Sequence, residues 1–241
     1  MRIEGSTHVG RVRRRNEDAM GWDRQLGIAL VADGIGGQPS GDIASRLAVD
    51  SALRAAATAG RGKSCWLAAG GDPARLVRLL NRAIIDRGKR DAACAGMGTT
   101  VVLAAADEER VVVAHVGDSR AYRFHEGILS RVTRDHNLAQ EAVDHEWITP
   151  EQARDSLERH TLTRALGVDD DVEPDVVTFE RSPGDLLLLC SDGLNGELHD
   201  REVEQLLVEH GRDLDTLAGL LVRTAVDRGG RDNVSVVLMQ L

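Results

Sequence analysis

The sequence predicts an α+β fold built from antiparallel layers. Three observations carry that prediction. Short strand-like runs fall into two blocks, helix-like stretches come in pairs beside them, and strand–helix–strand alternation is scarce. No repeat, low-complexity tract or linker interrupts the 241 residues, so one domain spanning 1–241 is expected.

The elements follow in order. "AMGWD" at 19–23 and "LGIALVADG" at 26–34 are the first strands. A helix is predicted from Pro39 or Ser40 to about Ala59, with Ile43, Leu47, Val49 and Leu53 at helical spacing. Glycine-rich breaks, "GRGKS" and "GGDP", separate it from a second helix at about 73–90, where Leu76, Leu79, Leu80, Ala83 and Ile84 form one stripe. Then "GTTVVLAAAD", "RVVVAHVGD", "SRAYRFHEG" and "ILSRVT" have the pattern of consecutive antiparallel strands. Residues 134–167 turn polar. Thr149-Pro150-Glu151-Gln152 is a capping box with proline at the first helical position, which predicts a helix from 150 to about 158. This helical insertion, at about 134–160, is suited to be a flap. Strands resume at about 174–180 and at "DLLLLCSDG", whose leucine run reads as buried on both faces. Helices at about 200–210 and 213–227 precede a last strand, "DNVSVVLMQL".

Composition excludes several functions. A net charge of -9 disfavours nucleic acid and anionic membrane as partners. Aromatics are only 2%, so the core must be aliphatic. Cys65, Cys94 and Cys190 are scattered, without CxxC spacing, and read as reduced thiols rather than a disulfide frame or zinc site. The first ten residues lack a signal-peptide core, and no apolar run approaches a membrane span of roughly 18 residues. A soluble cytoplasmic protein is expected, with monomer as the default.

The chemistry gathers at strand ends. "VADGIGGQPSGDIAS" looks like a phosphate loop, but Pro39 breaks the G-x-G-x-x-G spacing, and Asp42-Ile43 stand where a P-loop needs lysine and a hydroxyl. Asp33 therefore reads as the holder of a cation. Asp118 and Asp192 also follow strands, and Asp232 begins one. Each alone is a common turn residue. Four carboxylates at one sheet edge, however, would repel severely unless cations sat between them, and hard oxygen donors suit Mg²⁺ or Mn²⁺. Gly34, without a Cβ, lets its backbone carbonyl approach as a further donor. Arg11, Arg13, Arg14 and Arg15 make a basic spot in an acidic chain, followed by Glu17 and Asp18. If this stretch is a strand, Arg13 and Arg15 share a face, and such an arginine could grip a phosphate dianion. The plainer reading is a solvated edge strand. His115 reads as a core residue, Asp169-Asp170-Asp171 as a solvated turn, and no histidine pair has zinc-ligand spacing.

"RVRRRNEDA", "LVADGIGGQPSGDIAS", "GMGTTVVLA", "VAHVGDSRAYRF", "LTRALG", "LLCSDGL" and "GGRDNVSVVL" together resemble the metal-dependent protein Ser/Thr phosphatases, the PPM or type-2C family, in its compact bacterial form. The resemblance runs from about Gly10 to the C-terminus. It implies two antiparallel sheets packed as a sandwich, helices on both outer faces (α-β-β-α), and a metal centre in the cleft at one edge. Asp33 would bridge two Mn²⁺ or Mg²⁺ ions, with the Gly34 carbonyl on one and Asp192 and Asp232 on the other. Asp118 would join Asp192 at a third, weaker ion. Glu17 and Asp18 would lie close by, through metal-bound water, and Arg13 would bind the phosphate. Direct attack by the bridging water or hydroxide would hydrolyse phosphoserine and phosphothreonine without a phosphoenzyme. The partners implied are phosphorylated proteins, including a Ser/Thr kinase or its substrates. Ile35 stands where many eukaryotic members carry an acid histidine, which leaves the proton to metal-bound water or to His160. The competing classes are a two-metal nuclease or nucleotidase, which charge and motif order oppose, and a degenerate regulator, which should have lost one of these aspartates.

Overall fold

The computed structural model describes residues 1–35, 40–60, 65–211 and 213–241. The glycine-rich stretch at 36–39, with the predicted helix start at Pro39, and the predicted break at 61–64 lie outside the described residues. In chain order the elements begin β1 (Arg2–His8), β2 (Asp18–Asp23), β3 (Ile28–Asp33), α1 (Gly41–Gly60) and α2 (Pro73–Arg90). Strands β4 (Val101–Ala106), β5 (Arg110–Val116), β6 (Arg120–His125) and β7 (Ile128–Arg131) follow, then α3 (Leu138–Asp144) and α4 (Pro150–Asp155). The chain closes with β8 (Asp175–Glu180), β9 (Leu186–Cys190), α5 (Asp192–Asn195), α6 (Asp200–His210), α7 (Leu214–Arg228) and β10 (Val234–Gln240).

The strands form two five-stranded antiparallel sheets, β1-β10-β9-β6-β7 and β2-β3-β4-β5-β8. Alternation along each strand builds the layers. From β3, Ala29 and Val31 meet Leu187, Leu189, Val237 and Met239 of the other sheet, while Ile28 and Leu30 face the opposite way, onto Ala48, Ala52, Leu76 and Leu80 of α1 and α2. Likewise Leu188 and Val236 pack on Leu217 and Leu221 of α7. The predicted sandwich with helices outside both sheets is the fold observed. β9 is central in its sheet and buried throughout, as its leucine run requires. Among the described residues, no helix is long and apolar enough to cross a membrane.

Three expectations needed correction. The four strands after residue 100 are not one meander: β4 pairs with β5 and β6 with β7, but the chain changes sheets between β5 and β6 at Gly117–Ser119. Gly117 makes that turn with φ +103°, and a Cβ there would press on Thr100. Residues 9–17 form a loop rather than a strand, so the face-sharing of Arg13 and Arg15 does not apply. The helix at 150 stops at Asp155, because Ser156 caps a separate 3-10 turn over Leu157–His160. The capping box itself is present, with the Thr149 and Gln152 side chains each accepting from the other's backbone N–H.

Candidate active site

Antiparallel pairing delivers the acidic residues to one seam. Asp18 opens β2 directly opposite Asp33, the last residue of β3. The Asp33 backbone is pinned on both sides: its N–H donates to Thr100 Oγ1 at 3.0 Å, and its carbonyl accepts from Thr100 N–H at 2.8 Å and from Thr99 Oγ1 at 2.8 Å. Thr100 Oγ1 also meets Ser119 Oγ at 2.7 Å, which ties Asp33 to the turn carrying Asp118. From the other sheet, Asp192 begins α5 after β9, and Asp232 lies just before β10. The sheets are stitched at this seam: Ser191 Oγ donates to Asp18 Oδ2 at 2.7 Å and accepts from Ser235 N–H at 2.9 Å.

Asn233 fixes the arginine loop. Its Nδ2 donates to the carbonyls of Val9 and Arg15, both at 2.9 Å, and its Oδ1 accepts from Glu17 N–H at 2.7 Å. Held this way, Arg13 is exposed but reaches Asp232 Oδ2 at 2.6 Å. The Glu17 carbonyl accepts from Gly34 N–H at 3.1 Å, and a Cβ on Gly34 would run into the carbonyl of Gly41. Only glycine fits there.

Arg13, Glu17, Asp33, Gly34, Asp118, Asp192 and Asp232 all line one cavity of about 670 Å³; Asp18 is sealed beneath it, 6% exposed. Electrostatics within the seam are strained. Burial pushes the Asp18 carboxyl up to about 7, against the pull of its serine partners. Burial, and then the charges of Asp18, Asp192, Asp118 and Asp232, hold Asp33 well above the usual range. Asp118 is raised by burial and by Asp192, and Asp192 by burial and by Asp232. Asp18 Oδ1 and Asp192 Oδ1 are buried without a hydrogen-bond partner. Converging carboxylates with orphaned oxygens fit hard divalent cations, which would replace mutual repulsion by attraction.

The candidate site residues named from the sequence, Arg13, Glu17, Asp18, Asp33, Gly34, Asp118, Asp192 and Asp232, all lie at this seam, whereas Arg11, Arg14, Arg15 and His115 do not line its cavity. The supporting Ser191, Ser235, Asn233, Thr100 and Ser119 were not named from it. Ser119, Ser191 and Asn233 each adjoin a predicted aspartate, which was the available signal. His160 and Arg159 line this cavity and an adjoining one of about 850 Å³, which runs between α3–α4 and α5–α6 and also touches Asp118 and Asp192. Arg159 Nε donates to His160 Nε2 at 3.1 Å.

His115 is buried, as expected, and stacks on His136 with ring centroids 4.6 Å apart. With Asp175 these two bring nitrogen and oxygen atoms within 4.8 Å of one another. They do not fit a zinc ion. The Gly117 N–H can only donate, so His136 accepts it through Nδ1 at 3.1 Å and carries its own proton on Nε2. Burial, then His115, lowers His136 to about 4, so the ring is neutral. The cysteines are free; Cys94 and Cys190 are buried, and Cys65 is half-buried.

The protein phosphatase 2C family model matches residues 4–223. The serine/threonine phosphatase stp of Listeria innocua is 35% identical over 249 residues, covering 100% of this chain and 96% of the relative. PstP of Mycobacterium tuberculosis is 34% identical over 99% of this chain and 44% of its own length. Among solved structures, a Ser-Thr phosphatase of Mycobacterium smegmatis in complex with cacodylate superposes with a TM-score of 0.84 at 31% identity, covering 100% and 98% of the two chains. The catalytic domain of PstP in complex with two manganese ions gives 0.84 at 33% identity, covering 98% and 96%. In sequence and in sheet architecture alike, this chain belongs to the protein phosphatase 2C family of metal-dependent protein serine/threonine phosphatases.

Proposed function

We propose that residues 1–241 form one phosphatase domain that hydrolyses phosphoserine and phosphothreonine in proteins with Mn²⁺ or Mg²⁺. The observation that supports this most is the buried carboxylate seam with orphaned oxygens beside an accessible arginine. Asp33 would bridge two ions, with the Gly34 carbonyl on one and Asp192 and Asp232 on the other. Asp118 and Asp192 would hold a third, weaker ion, and Glu17 and Asp18 would contact the bound waters. When bound, such cations supply a water that ionises near neutral pH and neutralise charge on phosphoryl oxygens.

The remaining work falls to this chain's own groups. Arg13 exchanges its Asp232 partner for the substrate's phosphoryl oxygens and orients the phosphorus for in-line attack. No cysteine lines the cavity among the described residues, and the Thr100 hydroxyl is engaged with Asp33 and Ser119. In this reading water is the nucleophile, so no phosphoenzyme forms. Ile35 offers no proton to the leaving oxygen; bound water, or His160 at the cavity wall, would supply it. The segment 134–160 acts as the flap, since α3 and α4 wall the cavity adjoining the seam, where peptide flanking the phosphoresidue would lie. Reversal of Ser/Thr kinase signalling in the cytoplasm, by a monomer, is the role these features suit.

The test is hydrolysis of a phosphothreonine peptide by chelator-stripped protein, with Mn²⁺ or Mg²⁺ added back, beside Asp192→Ala. Activity that needs metal and disappears in the variant supports the reading. Metal binding without cleavage of peptide or small phosphate ester would replace it with a regulator.

A further inference from the structure

Asp118 raises a mechanical question. It sits on the turn where the chain changes sheets, 9% exposed, and the neighbouring charges of Asp192 and Asp135 push against it. Some part of the fold must hold it there. Two consecutive residues, Asp135 and His136, grip the turn on both sides.

His136 takes the residue before Asp118. Its Nδ1 accepts from Gly117 N–H at 3.1 Å, and the His136 backbone N–H donates to the Gly117 carbonyl at 3.0 Å. Both polar groups of the Gly117 backbone are thereby fixed, in a conformation that has no other support from its side chain. The ring is wedged in turn: it stacks on His115, and its Nε2 faces Asp175 Oδ2 at 3.3 Å, while Arg164 holds Asp175 at 2.7 Å. Asp135 takes the residue two beyond Asp118. Its carboxylate accepts Arg120 Nε at 3.0 Å and Arg120 Nη2 at 2.7 Å in a two-point fork, and Arg131 lies 2.6 Å away. Both residues are buried, at 7% and 2% exposure.

The directions matter as much as the contacts. Arg120 belongs to β6 in one sheet, whereas His115 and Asp175 belong to β5 and β8 in the other. Asp135-His136 therefore straddles the same seam as the turn that it holds. It is also the root of the flap: Thr163 N–H donates to the His136 carbonyl at 2.9 Å, and Leu138 N–H to that of Thr161 at 3.0 Å.

We propose that Asp135 and His136 are positioning residues, a two-point clamp on Gly117–Arg120 that aims the Asp118 carboxylate at the third, weakest cation. The proposal rests on the reading of Asp118 as a ligand of that cation. It assigns to the root of the flap a function in metal binding separate from contact with substrate.

Two amides of similar polarity test it. In His136→Asn the side-chain oxygen reaches the place of Nδ1 and can accept from Gly117. In His136→Gln the oxygen reaches the place of Nε2 and cannot. Mn²⁺ titration of each metal-stripped protein by calorimetry, with the metal-free melting temperature beside it, gives the readout. The glutamine variant should weaken the weakest Mn²⁺ event by about 10–100-fold, the range for lost outer-shell partners, and leave the tighter events alone. The asparagine variant should keep all of them. A glutamine variant that binds like wild type, or an asparagine variant that falls as far, overturns the clamp. If the glutamine variant does not fold, Arg120→Lys tests the other grip, since lysine cannot reproduce the fork; an unchanged weak event there overturns the proposal equally. Asp118→Asn separates the two levels. If it leaves every Mn²⁺ event intact, Asp118 is no ligand and the underlying reading fails. If it removes the weak event while the His136 and Arg120 variants do not, only the clamp fails.

Discussion

Asp18→Asn should stabilise the metal-free protein, and by an amount that grows with pH. Asp18 is buried in the seam, and burial raises its carboxyl from an ordinary 3.8 to about 7. Below the ordinary value both folded and unfolded chains hold the proton, so the group costs nothing. Between 3.8 and about 7 the folded chain keeps a proton that the unfolded chain has lost, so stability falls as pH rises. Above that window the full cost is present. The window is a little over three pH units, worth about 1.4 kcal/mol each, which gives a penalty on the order of 4 kcal/mol. Asparagine has the same shape and can still accept from Ser191, but carries no charge to strand. Urea unfolding of chelator-treated wild type and variant, followed by circular dichroism, should show near-equal stability at about pH 4 and a variant advantage of up to about 4 kcal/mol at pH 8. An advantage that is the same at both pH values, or absent, would refute the reasoning, because it would mean that no ionised Asp18 carboxylate burdens the folded state.

Mn²⁺ at about 100 times its dissociation constant should add about 2.7 kcal/mol to wild type, seen as a rise of several degrees in the melting temperature; no rise at saturating metal would contradict a preformed site. Arg13→Ala should raise KM for a phosphopeptide by about 10–100-fold, the loss of a charge-assisted contact worth about 1.5–3 kcal/mol, with lysine restoring only part because it lacks the fork. Steady-state kinetics on the three proteins decide that. Leu189→Ala removes a fully buried side chain from between the sheets and should cost about 2–5 kcal/mol in chemical denaturation at saturating Mn²⁺.

What the sequence disclosed depended on whether a segment announced itself locally. β9 did, because a run of four leucines and a cysteine that is short and bounded by turn residues reads as an interior strand. β1 did not. "RIEGSTH" is polar and contains a glycine; it is a strand because β10 offers it a continuous antiparallel partner from Arg2↔Gln240 to His8↔Val234. The sheet change at Gly117 was invisible for a similar reason, since local alternation is the same whether the next strand joins this sheet or its neighbour. The aspartates of the seam were legible because carboxylates at four strand ends are costly unless used. Ser191, Asn233 and the Asp135-His136 pair were not, because an ordinary polar residue shows its purpose only when its partner, distant in sequence, is brought beside it.

The register of β1 on β10 also fixes where the chain ends lie. Pairing from Arg2↔Gln240 to His8↔Val234 places the cleft residues Asp232 and Asn233 just past one end of that ribbon, and both termini at the other. Leu241 is tied down there by its N–H to the Asp185 carbonyl at 2.9 Å. A tether, tag or additional domain joined to either terminus would leave from the pole opposite the cleft. In this geometry such an attachment can anchor or localise the enzyme without standing in the way of its substrate.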